Sequence, residues 1–92
     1  MFLFRSKVIP LNTVIDKEDS VLMQLMKTAI AKKPVTKRML KGMTKREISN
    51  LQYLFNHSHN LTFCRFEDLS KRLKLRLQIS TDSKLGMTLE VI

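Results

Sequence analysis

The chain has 92 residues, with 17 Lys and Arg against eight Asp and Glu, a formal net charge of +9 at neutral pH. That length supports one hydrophobic core, so residues 1–92 are read as a single small basic domain. A hydrophobic fraction of 43% beside 27% charged residues excludes a disordered or collagen-like chain, no apolar run approaches the length of a membrane span, and a single Cys excludes an internal disulfide.

Over residues 2–9, Phe2 and Phe4 alternate with Leu3 and Arg5, and Lys7 precedes Val8 and Ile9; the segment is expected to form a strand that Pro10 ends. Arg5 and Lys7 interrupt this segment too early for a secretory signal. With one Cys, the expected setting is a reducing, cytoplasmic one.

Asp16 is expected to cap a helix over 17–32, with Asp19 in its first turn, and Leu22, Leu25, Met26, Ala29 and Ile30 form its apolar stripe. Lys32 and Lys33 suit the helix end, and Pro34 forces an exit. A short helix is expected over 36–41, with Thr36 as cap and Gly42 beyond its end. Thr44 and Glu47 then fit a capping box, opening a helix over 45–57 whose inward residues are Ile48, Leu51 and Phe55. The run Asn56, His57, Ser58, His59, Asn60 breaks it.

A further short helix is expected over 66–73. Leu73, Leu75, Leu77 and Ile79 alternate with Lys74, Arg76 and Gln78, which predicts a half-buried strand. Thr81, Asp82, Ser83 and Lys84 supply turn chemistry, and Met87, Leu89 and Val91 give the returning strand. The predicted core joins Leu22, Leu25, Met26, Ile30, Ile48, Leu51, Phe55, Phe66, Leu69, Leu75 and Leu77, with the five Phe and Cys64 inside. The expected architecture is α+β: a helix-turn-helix over 36–57 in a winged-helix-like arrangement, with an N-terminal strand and a C-terminal β-hairpin.

The charge is concentrated. Residues 32–50 hold Lys32, Lys33, Lys37, Arg38, Lys41, Lys45 and Arg46 against Glu47 alone, a net of +6 out of +9. A surface built only for solubility intersperses both signs, so this block reads as a binding surface for a polyanion. On the helix that follows Gly42, the face opposite Leu51 carries Arg46, Ser49, Asn50 and Tyr53. Arg and Asn can pair with base edges, whereas Lys, Ser and Tyr suit phosphates. Lys71, Arg72, Lys74 and Arg76 form a second basic group around the presumed hairpin, although charged residues also protect edge strands.

These features make a small non-enzymatic nucleic-acid-binding regulator the first expectation, with duplex DNA preferred because few aromatics are free to stack on single strands. The alternative is a module that binds an acidic protein, since Met39, Leu40 and Met43 lie inside the basic block and could add apolar contact. A small ribonuclease built on His57 and His59 is a third reading. No cofactor motif is present, and Cys64 with the two His cannot complete a tetrahedral metal site. Strand edges near both termini suggest a homodimer.

Overall fold

The computed structural model describes residues 7–79 and 84–91. It contains three helices, α1 (Val21–Lys32), α2 (Lys45–His57) and α3 (Phe63–Arg72), followed by β1 (Leu75–Ile79) and β2 (Met87–Val91). The strands pair antiparallel, with Leu77 opposite Leu89 and Arg76 opposite Glu90. This is a small α+β fold in which a helical layer precedes a hairpin.

Each helix starts on a hydroxyl that accepts a hydrogen bond from a first-turn N–H: Ser20 from Met23, Thr44 from Glu47 and Thr62 from Arg65. The Thr44–Glu47 capping box is complete, because the Glu47 carboxylate also accepts from the Thr44 N–H at 3.1 Å. The bounds of α2 are those the sequence predicts.

α1 begins four residues later than expected. Asp16 is not its cap. The Asp16 side chain closes a turn onto the Glu18 N–H, and Ser20 takes the capping role. Asp19 is instead buried with Lys27, whose Nζ lies 2.7 Å from Asp19 Oδ2 and 2.9 Å from the Val14 carbonyl. A lysine on the inner side of α1 is tolerated because its ammonium donates to two oxygens there, one of them charged.

The core gathers Met23, Leu25, Met26, Ala29 and Ile30 from α1, Leu51 and Phe55 from α2, Phe66 and Leu69 from α3, and Leu73 and Leu75 beyond it. Val35, Leu40 and Leu61 join them from the connections. Leu22 and Ile48 are only half-buried, and Met23 takes the inner position expected of Leu22. Leu77 is 47% exposed rather than inward, because along β1 the helices cover only Leu75, while Leu89 and Met87 of β2 pack against the core. Phe63, at 65% exposed, and Cys64 lie on the outer side of α3, so neither is core. Truncating Leu51 to Ala is expected to cost about 2–4 kcal/mol, measured by chemical denaturation, whereas the same truncation at Leu77 should cost less than half as much.

The segment 36–41 is not a helix. It is a run of tight turns held by N–H to carbonyl bonds from Met39 to Thr36, Leu40 to Lys37, Lys41 to Arg38 and Met43 to Leu40, all 3.0–3.2 Å. Leu40 anchors the run in the core, and Gly42 at φ +94° makes the reversal into Thr44. The two helices that directly precede the hairpin are therefore α2 and α3, joined by residues 58–62, and not 36–41 with α2. Of the expected N-terminal strand, Val8 forms an isolated antiparallel bridge with Thr36, and residues 2–6 lie outside the described residues. Most of the expected turn at Thr81, Asp82 and Ser83 also lies outside them; Lys84 and Leu85 form a turn that ends in Gly86 at φ +72°.

Candidate nucleic-acid interface

The turn run displays Lys37, Arg38 and Lys41 to solvent because Leu40 and, in part, Met39 face inward. Hydrogen bonds from Ile9 N to the Val35 carbonyl and from Lys37 N to the Lys7 carbonyl, both 2.8 Å, fix it against the N-terminal segment. A depression of about 390 Å³ opens beside it, rimmed by Lys7, Lys37, Arg38 and Lys41 over a floor of Leu40 and Met43. A neighbouring depression brings Lys45 and Ser49 of α2 to the same Lys7 and Lys37.

Arg38 also lines a third depression, of about 370 Å³, with Lys33, Met39, Arg72 and Lys74. The two basic groups that the sequence presents separately thus meet at Arg38. Their junction is tied on both sides. Arg72 donates from its guanidinium to the Lys41 carbonyl at 2.9 Å and to Asp68 Oδ2 at 3.1 Å, and Lys33 donates to the Leu73 carbonyl at 2.8 Å. Among the described residues, no acidic side chain lines any of these three depressions. Glu47, the sole acid of residues 32–50, is occupied by its capping box, and the Thr44 backbone hydrogen bond holds its carboxyl below the usual range.

The remaining candidates divide by location. Arg46, Asn50 and Tyr53 are exposed on the outer face of α2, outside the depressions, and the Tyr53 ring lies 4.5 Å from that of His57 at a tilt of 42°. Lys71 is exposed and pairs loosely with Glu67 at 3.6 Å. Arg76 is exposed on β1, opposite Glu90 of β2. Arg72, by contrast, is half-buried and already committed to protein oxygens, so its part is to position the Lys41 turn. Lys7 and Lys33 were not singled out from the sequence. Lys33 sits in the basic block, but Lys7 reaches it only through the long-range bridge of Val8 to Thr36, which leaves no local signal.

His57 and His59 make separate contacts. The His57 ring packs at a tilt against Tyr53, whereas His59 Nδ1 lies 3.0 Å from Asp19 Oδ1 and its Nε2 lies 3.5 Å from Glu18. Among the described residues, Asp16, Glu18 and His59 bring one donor atom each within 4.8 Å of one another, all on the surface. The hydrogen bond to Asp19 raises the His59 pKa against the opposing effect of partial burial, with Asp16 and Glu18 adding to the rise. For Asp19, burial pushes the pKa up, but hydrogen bonds from Lys27, the Asp16 N–H and His59 outweigh it and leave the carboxyl below its usual range.

Because the folded His59 binds its proton more tightly than the unfolded one, its stabilising effect is full below the ordinary histidine value of about 6.5 and is lost as the pH rises through the raised folded value. Denaturant midpoints from mildly acidic to mildly alkaline pH should therefore fall across that window, and His59→Asn should flatten the trend. Asp19 works in the opposite direction: its contribution is present above the ordinary carboxylate value and is lost as the pH falls through the lowered one.

Comparison with protein-family models, curated proteins and solved structures found no match to this chain. Among the described residues, no helix is long and apolar enough to cross a membrane.

Proposed function

We propose that this protein is a small non-enzymatic nucleic-acid-binding regulator that grips the phosphate backbone of duplex DNA, in a cytoplasmic and reducing setting in keeping with its single, exposed Cys64. The observation that supports this most directly is the joining at Arg38 of the basic turn run with Lys33 and Lys74, with no acidic side chain among the described residues of the lining. Contiguous cationic side chains on a fixed backbone follow a line of phosphates, and an excess charge of this size increases both affinity and encounter rate. The order of two helices followed by a hairpin is compatible with a winged-helix-like arrangement, in which Lys74 and Arg76 would flank the groove. On the outer face of α2, Asn50 is the side chain best suited to read a base edge, supported by Arg46, Ser49 and Tyr53.

The test is a titration of the protein against duplex DNA, single-stranded DNA and RNA at several salt concentrations. With about five phosphates neutralised, log affinity for duplex DNA should fall against log salt with a slope near −4 to −5. Asn50→Ala should weaken a preferred sequence by about 1–3 kcal/mol and random DNA much less. A salt-independent affinity, or none for any of the three, would refute the reading.

One observation favours a second reading. Met39 and Met43 line the same depressions as the cations, giving an apolar floor under a basic rim. An acidic protein segment with one or two apolar side chains would fit that chemistry. Met39→Ala and Met43→Ala distinguish the two readings: a phosphate track should tolerate both, whereas a protein-binding patch should lose affinity with each.

A further inference from the structure

β1 has β2 on one side and, among the described residues, no strand on the other. Among these residues, that second backbone edge is open. Along its apolar face, Leu75 is covered, Leu77 is 47% exposed and Ile79 is 84% exposed. On the opposite face, Arg76 is the one charge of the strand.

The strand is complementary to itself. In an antiparallel pairing of two β1 edges with Leu77 at the centre, Leu75 of one copy faces Ile79 of the other, and Arg76 faces Gln78. No two arginines meet, although the chain as a whole carries +9. The covered end of each apolar face then lies beside the uncovered end of the other, so the helices over Leu75 of one copy shelter Ile79 of the second. A slip of one residue would set Arg76 against Leu77 and uncouple the apolar residues, and a slip of two would set Arg76 against Arg76. We propose that two copies of this chain form a symmetric dimer through β1, making a four-stranded sheet in the order β2-β1-β1-β2. This assignment uses neither the basic depressions nor the outer face of α2 and shares only Arg76 with the nucleic-acid reading, so either can fail without the other.

The test is sedimentation equilibrium of the full chain over about 1–500 µM, a range that spans the affinities at which mass action populates a weak dimer. The expected result is a mass rising to twice that of the chain. Ile79→Lys changes an exposed side chain and should leave the circular dichroism spectrum and the melting temperature intact. It should raise the dimer dissociation constant about a hundredfold, because two charges enter an apolar face with no partner. In a Cys64→Ser background, Leu77→Cys should form a covalent dimer on mild oxidation, whereas Thr88→Cys on β2 should not. A monomer mass at every concentration would overturn the proposal. So would a dimer that survives Ile79→Lys, or one in which Leu77→Cys does not cross-link.

Discussion

Reversing the charges of Lys37, Arg38 and Lys41 together, each to Glu, is expected to weaken binding to duplex DNA about a hundredfold or more at about 0.1 M salt. All three side chains are exposed. Their replacement should therefore leave the fold intact, with the melting temperature unchanged or slightly raised as like-charge repulsion falls. The loss should be similar for every DNA sequence and should also flatten the salt dependence, since fewer counterions are displaced. Lys71→Glu provides the contrast: that lysine pairs loosely with Glu67 away from the depressions, so its reversal should change affinity only a few-fold. Full affinity in the triple variant would remove the turn run from the interface and direct attention to the outer face of α2.

Replacing Asp19 by Ala is expected to destabilise the fold by about 3 kcal/mol, among the largest effects of any single substitution in the chain. The side chain is fully covered and accepts from Lys27 at 2.7 Å, from the Asp16 N–H at 2.9 Å and from His59 at 3.0 Å. Without it, the Lys27 ammonium keeps only the Val14 carbonyl while remaining buried. The cost belongs to the orphaned charge rather than to the pair as such. Combining Asp19→Leu with Lys27→Met should accordingly recover much of the lost stability, as urea denaturation would show. If the double variant is as unstable as Asp19→Ala, the site holds the 16–20 turn by geometry rather than by compensating charge.

Local rules were legible in this sequence wherever local forces decide. The bounds of α2 follow from its capping box at one end and the Asn56 to Asn60 run at the other. The hairpin follows from strict alternation, and its two strands pair antiparallel. The start of α1 is not set locally, because Asp16 and Ser20 are both good caps and tertiary burial of Asp19 against Lys27 decides between them. Residues 36–41 contain good helix formers, yet Leu40 must reach the core while Val35 and Lys37 bond to the N-terminal segment, and a continuous helix could not satisfy both. Leu77 follows the apolar pattern of its strand, but a pattern does not report how far the helices extend over it.

The interface divides in the same way. The concentration of charge over 32–50 is visible from composition, and so is the polar face of α2. The meeting of that block with Lys74, the recruitment of Lys7 and the structural commitment of Arg72 all depend on contacts between residues far apart in the chain.

Lys74 sits between α3 and β1 with a backbone φ of +54°, the left-handed region that a lysine enters only at some cost. Glycine would relieve that cost. Lys74→Gly is therefore expected to make the protein more stable by a few tenths to about 1 kcal/mol while weakening its hold on a polyanion. At this junction stability and binding pull against each other. A selection for thermal resistance alone should drift toward glycine at position 74, and a selection for binding should restore the lysine at the expense of the fold.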